Sequence, residues 1–296
     1  MTKKVLSGFL AAALVTGSIV AATPNTAEAA APKASYTFSM DKANKNVVAV
    51  ARKGDTSNFA VDTTKKGNEG GVMPKASEAK KVTLKYVKGK KGKALYLDRT
   101  SSYGAQLKGV KLGSGSWTVS FWVQPEQSLS NFMPIFFTCS SNATDANNTK
   151  WLSITHREDI GTDGDPLIWS HSISGGKNEQ FPWFCYQNED GDWVQKMALT
   201  AKKWTHVTLV VDTKDTCEYG TKGEDGYVKS YHAWTYINGK LYGNGTVAKG
   251  TMSNTNNFFL GINCWDTPFK GYFDEVMLWK KALTAKQVAA LYKSVK

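Results

Sequence analysis

From Ala94 to Trp279 the chain is a succession of short runs rich in β-branched and aromatic residues, separated by clusters of Gly, Asn, Asp and Ser. The runs are ALYLD (94–98), AQLKGV (105–110), SWTVSFWV (116–123), MPIFFTC (133–139), WLSITH (151–156), PLIWSHSI (166–173), FPWFCYQ (181–187), WTHVTLVVD (204–212), HAWTYINGKLYG (232–243), FFLGIN (258–263) and GYFDEVMLW (271–279). Successive side chains of a strand point to opposite faces, so a half-buried strand alternates with period two. In SWTVSFWV, Trp117, Val119, Phe121 and Val123 share one face; in WTHVTLVVD, Val207, Leu209 and Val211 do. No helical pattern lies between these runs. That excludes a βαβ fold and leaves an antiparallel sandwich or barrel. Asn238-Gly239 supplies the positive-φ pair of a tight hairpin. The one helical signal comes at the end. Thr284 with Gln287 makes a capping box, and Val288, Leu291 and Tyr292 form one apolar stripe, which predicts a helix covering a sheet edge or one end of the sandwich.

The first residues are of a different kind. Lys3 and Lys4 precede an uncharged stretch from Val5 to Ala22 that is rich in Ala, Gly, Ser and Thr, and Ala27-Glu28-Ala29 fits the small-x-small cleavage rule. A membrane anchor needs a similar length, but composition and cleavage motif favour a signal peptide over residues 1–29. One exported domain then spans 30–296, with no transmembrane segment after cleavage and an extracellular location. Export leaves the pairing of Cys139, Cys185, Cys217 and Cys264 open between disulfides and buried thiols; no C-x-x-C or zinc spacing occurs among them.

The formal net charge is +12, yet arginine occurs only at Arg52, Arg99 and Arg157. Base and phosphate readers lean on the bidentate guanidinium, so the charge argues against a nucleic-acid partner and for solubility or an anionic cell surface. Seven of the lysines fall between Lys80 and Lys93. That pattern suits a solvated strand edge and turn, since lysine blunts exposed edges. The segment from Lys42 to Lys93 is otherwise the least regular of the chain.

Five segments, in order, resemble the laminin G-like, concanavalin A-like jelly rolls. YTFSMD (36–41) looks like that family's first strand, and GKKGKALYLDRTSSYGAQLKGV (89–110) like its G-x-x-G-x-A-L strand and hairpin. SWTVSFWVQPE (116–126) resembles the central strand. WTHVTLVVD with YINGKL (236–241) resembles the W-x-H-V strand and N-G hairpin, and FKGYFDEVMLWKKALTAKQVAALY (269–292) the closing G-x-D-E-V strand and helix. The resemblance implies an all-β, two-sheet antiparallel jelly-roll sandwich with one short C-terminal helix. It also implies a structural calcium held by an N-terminal carboxylate, the Asp of the closing strand and backbone carbonyls, with the carboxylates at the positions of Asp41 and Asp274 here; hard oxygen ligands suit calcium.

That superfold hosts lectins, polysaccharide-binding modules, glycosidases and adhesion domains, so function must come from the residues. Retaining glucanases of the fold carry an E-x-D-x-x-E strand pattern, and the chain has none. Asp274 and Glu275 are adjacent and point to opposite faces of a strand. The remaining acidic clusters sit beside Gly or Asn, where turns form. His206 falls in the structural W-x-H-V strand. The expectation is therefore a non-catalytic protein.

The chain's ten tryptophans divide into two groups. Trp117, Trp122, Trp204, Trp234 and Trp279 lie in segments common to the family. Trp151, Trp169, Trp183, Trp193 and Trp265 do not. Aromatic rings stack on the C–H faces of sugars while planar polar groups bind the hydroxyls. In WLSITH, Leu152 and Ile154 form the core face, so Trp151 points away from it. Trp151, Arg157, Trp169, His171, Trp183 and Trp265 are the candidate carbohydrate-binding residues, with Asp163, Asn178 and Gln180 nearby. The expected partner is a polysaccharide or glycan. A structural or adhesion module contacting polyanions or protein, and a glycosidase or lyase with non-standard residues, are the alternatives.

Overall fold

The computed structural model describes residues 30–51, 82–98, 103–126, 133–139, 150–156, 167–174, 177–179, 183–184, 199–219, 221–224, 227–263 and 268–295. The segment read as a signal peptide lies outside the described residues. In chain order the strands are β1 (Tyr36–Phe38), β2 (Val47–Ala51), β3 (Lys85–Lys88), β4 (Lys93–Leu97), β5 (Tyr103–Leu107), β6 (Trp117–Pro125), β7 (Met133–Cys139) and β8 (Lys150–His156). They continue with β9 (Leu167–Ser174), β10 (Lys177–Glu179), β11 (Trp183–Phe184), β12 (Thr205–Tyr219), β13 (Val228–Ile237), β14 (Lys240–Ala248), β15 (Asn257–Leu260) and β16 (Gly271–Trp279), and the helix is α1 (Ala285–Ser294).

The strands form the two antiparallel sheets of a jelly-roll sandwich. The first runs β14-β13-β12-β6-β16-β4-β3, with β1 added beside β16; the second runs β10-β9-β8-β7-β15-β5-β2, with β11 added beside β9. The alternation in β6 explains its place at the centre of the first sheet. Val119, Phe121 and Val123 are fully buried in the core between the sheets, and Phe121 meets Phe136 of the second sheet at 6.3 Å between ring centroids. Each such side chain removed from water contributes about 1.5–3 kcal/mol before ordering costs.

The opposite face of the first sheet is covered by α1. Gln287 N donates to Thr284 Oγ1 at 3.3 Å and Thr284 N to Gln287 Oε1 at 3.0 Å, completing the capping box. Val288 and Leu291 pack with Val210, Tyr236 and Trp279 in a second apolar layer. Tyr292 stacks on Trp122 at 5.6 Å. The helix therefore covers a sheet face, where an edge or an end was expected, because the off-core face of β6, β12 and β16 carries Trp122, Val210 and Trp279. The β13–β14 turn is fitted to it. Asn238 and Gly239 both have positive φ (51° and 76°), and a Cβ on Gly239 would lie 2.9 Å from Tyr292 Cβ.

Two features depart from the sequence pattern. β12 runs to Tyr219, well past Asp212, with an irregularity in its pairing to β13 between Asp212 and Thr216. The segment from Lys42 to Lys93, least regular in pattern, contributes β2 and the β3–β4 hairpin, with β3 the last strand at its rim of the first sheet among the described residues.

Candidate functional site

The off-core face of the second sheet carries the tryptophan-rich segment. In β8, Leu152 and Ile154 belong to the main core, while Trp151 joins a separate cluster with Phe137, Cys139, Phe259 and Ile262. The rings of Phe137 and Trp151 lie 6.3 Å apart, and those of Phe137 and Phe259 6.2 Å apart. Strand register extends this face. Trp151 is directly opposite His171, Ser153 opposite Trp169, and Trp169 opposite Trp183. Asn178 of β10 is opposite Ile173. Directly opposed residues share a sheet face, as do residues two apart on one strand. Positions 151, 169, 171, 178 and 183 therefore fall on one side of the sheet, the side away from the core. Arg157 and Trp265 lie outside the described residues, as do Asp163, Gln180 and Trp193.

One part of the expectation changes. Trp151 is only 3% exposed, so it forms the floor of this face and not an open stacking surface. Period-two logic assigns a side of the sheet; it does not say whether that side is covered. Phe137 and Phe259 were missed as floor residues. The available signal was the Phe-Phe doublets at 136–137 and 258–259. A doublet in a strand puts one ring on each face, and here Phe136 and Phe258 enter the core while Phe137 and Phe259 line the other side.

The two carboxylates expected at a calcium site do come together, around the β3–β4 turn. Lys93 N donates to Asp41 Oδ1 at 3.0 Å. Lys91 N donates to Asp274 Oδ2 at 2.9 Å and Glu275 N to Asp274 Oδ1 at 2.8 Å. The turn is fitted this closely because Gly92 lacks a Cβ: at its φ of +64°, a Cβ would lie 2.0 Å from Asp41 Oδ1. Asp274 is fully buried, and desolvation pushes its pKa up to about 6 against the opposing pull of the backbone donors. Asp41, exposed and bonded to Lys93 N and Ser39, is held below its ordinary value. Both Asp274 oxygens face N–H groups, Lys91 Nζ lies 3.8 Å from Glu275 Oε2, and among the described residues no three acidic, His or Cys side chains are grouped to hold a metal. The corner is a clasp that ties the hairpin to the first and last strands.

A Ser–His contact also occurs, with Ser120 Oγ 2.8 Å from His206 Nε2. It is sealed beneath α1. His206 is 2% exposed, and burial pushes its pKa down to about 3. His206, Trp122 and Tyr292 form one ring cluster, with Lys90 Nζ 4.6 Å over Trp122. Trp122 points away from the core as its phase requires, but it seats the helix. No helix among the described residues is long and apolar enough to cross a membrane. Cys217 is a free, half-buried thiol whose pKa burial pushes up to about 11. Cys185 and Cys264 lie outside the described residues.

Known proteins align with this architecture. A family model described as the concanavalin A-like lectin/glucanases superfamily matches residues 99–289. Domain 4 of AbnA, a GH43 extracellular arabinanase from Geobacillus stearothermophilus solved in complex with arabinotriose, is similar at 25% identity and a TM-score of 0.52, covering 88% of this chain and 98% of that one. The CBM40 of Ruminococcus gnavus IT-sialidase, bound to α2,3-sialyllactose, aligns at 13% identity and a TM-score of 0.43, covering 71% of this chain and 98% of that one. The botulinum neurotoxin type G receptor-binding domain aligns at 16% identity and a TM-score of 0.43, covering 71% of this chain and 44% of that one. A search of curated proteins finds no match by sequence. The matched segment takes in β5 to β16, with strands of both sheets, and the first half of the helix that covers the first, and the chain belongs to the concanavalin A-like lectin/glucanase superfamily.

Proposed function

We propose that this chain is an exported, non-catalytic carbohydrate-binding module that takes a neutral arabinan-type polysaccharide on the off-core face of its second sheet. The observation that carries the reading is the register of β8, β9 and β11, which aligns Trp151, His171, Trp169 and Trp183 on a single face. The similarity over nearly the whole length of an arabinanase domain that holds arabinotriose supports the choice of sugar. On this reading Trp151 is the rigid floor, Trp169 and Trp183 stack on the sugar rings, and His171 and Asn178 bond hydroxyls. Affinity gel electrophoresis in linear arabinan tests it. Trp169→Ala and Trp183→Ala should each weaken retardation about tenfold or more, comparable to losing one good stacking contact. Retardation unchanged in both variants, with melting temperatures intact, would remove this face from the function.

A further inference from the structure

The loop between β1 and β2 crosses one end of the sandwich, from the first sheet to the second. On one side it is joined to the β3–β4 hairpin: Asp41 accepts from Lys93 N, and the Tyr86 hydroxyl meets the Asn44 backbone. On the other side it is joined to the end of β5, where Lys108 N donates to Asn46 O at 2.7 Å. Just beyond, Lys111 N and O both bond the Tyr36 hydroxyl at 3.1 Å. These contacts align Lys42, Lys45, Lys88, Lys93, Lys108 and Lys111 across that end of the molecule, and all six are exposed. None of the six makes an ion pair among the described residues; the lysines of this region that do are Lys85, with Asp98 at 2.8 Å, and Lys91, with Glu275. Lys88 and Lys93 are directly opposed in the β3–β4 ladder. Like charges in that position destabilise a hairpin, and a pair of alternating charges would protect the edge equally well. Asp41, the acidic residue within the band, already accepts a backbone N–H from the hairpin.

We propose that this band is a docking surface for a linear acidic polysaccharide of uronate type, separate from the sheet face assigned to neutral sugar. Lysine ammoniums are compact point charges that suit carboxylates spaced along a flexible chain. A bilayer would need apolar insertion, and among the described residues the exposed large apolar side chains are only Val87 and Leu241. A nucleic-acid strand would be read through arginine forks and exposed stacking rings, and the band has no arginine. The choice of a uronate over a phosphodiester polymer rests on the carbohydrate reading above; the location of the surface does not.

The test is binding of the whole chain to polygalacturonate across a salt series, with neutral linear arabinan measured in parallel. The triple variant Lys45→Gln, Lys88→Gln, Lys108→Gln should lose about tenfold or more in polygalacturonate affinity at low salt and show a shallower salt dependence, with arabinan retardation and melting temperature unchanged. The variant Lys214→Gln, Lys222→Gln, Lys240→Gln removes the same charge elsewhere and should keep its affinity. Equal loss in both triples would mean that net charge and not this band binds the polymer, and would overturn the proposal. So would no loss in the first triple, or tighter binding of linear polyphosphate than of polygalacturonate at equal charge. Failure of arabinan binding alone would strike the sheet face as a sugar site and leave the lysine band as an anionic-polymer surface.

Discussion

Replacing Asp274 by Asn should change how stability depends on pH. Asp274 is fully buried, and its carboxylate pKa is raised from 3.8 to about 6. The folded protein therefore binds the Asp274 proton more tightly than the unfolded chain does. In that window stability falls as pH rises, because the native state must give up a proton that the unfolded state has already lost. The penalty is absent well below pH 3.8, grows between the two values, and is complete above about 6. Integrated between about pH 4.5 and about pH 7.5, a shift of this size costs the folded state about 2 kcal/mol. Asn cannot ionise, but its amide also places an NH2 against one of the two backbone donors, Lys91 N or Glu275 N. Losing that bond costs about 1–3 kcal/mol at every pH. The difference in unfolding free energy between wild type and Asp274→Asn should thus favour wild type most at acid pH and shrink by about 2 kcal/mol toward neutrality. Urea titrations followed by tryptophan fluorescence would measure it. Parallel pH profiles for the two proteins, within about half a kcal/mol, would mean that Asp274 titrates as an ordinary carboxylate, and the desolvation argument would fail.

Two further expectations concern the clasp and the helix. Since the Asp41 and Asp274 carboxylates are engaged by backbone N–H groups, millimolar calcium and EDTA should give the same melting temperature by calorimetry; a calcium-dependent rise of several degrees would show that the corner holds a metal. Thr284→Ala removes the Oγ1 acceptor of Gln287 N, the side-chain half of the N-cap, and should cost about 1 kcal/mol in chemical denaturation, with no effect on arabinan retardation; a change below about 0.3 kcal/mol would show that packing alone holds α1.

The sandwich was legible wherever one face of a strand meets the core. MPIFFTC coincides with β7, and the alternation in SWTVSFWV sets the core face of β6, because period two leaves no freedom of register once one face is buried. The capping box and the Asn-Gly hairpin were legible for a similar reason: each satisfies a local backbone requirement with particular residue types. The continuation of β12 through Thr213–Tyr219 was not. TKDTCEY has no apolar alternation, and the strand persists because β13 pairs with it beyond the irregularity. Nor was the covering of Trp122 and Trp151. Phase shows that both leave the core, but Trp122 is sealed by Tyr292, which is far away in sequence, and Trp151 packs on Phe137 from a neighbouring strand. The side of the candidate site was readable from single strands; its depth depended on pairings between strands.

The position of β16 has a consequence for how the molecule is made. This strand lies between β6 and β4 in the middle of the first sheet and also pairs with β1, so it joins the earliest described strand to the latest. While the chain is being synthesised, β4 and β6 have no common neighbour until Gly271–Trp279 has emerged. The half-formed sheet meanwhile presents two unpaired inner edges flanked by Leu95, Phe121 and Val123, and the Trp122 face has no helix over it. Such edges invite pairing with another nascent chain, and the long-range closure makes folding slow. Expression of this protein should therefore depend on holdase capacity and growth temperature more than on its final stability, and C-terminal truncations that remove β16 should aggregate instead of yielding a smaller soluble domain.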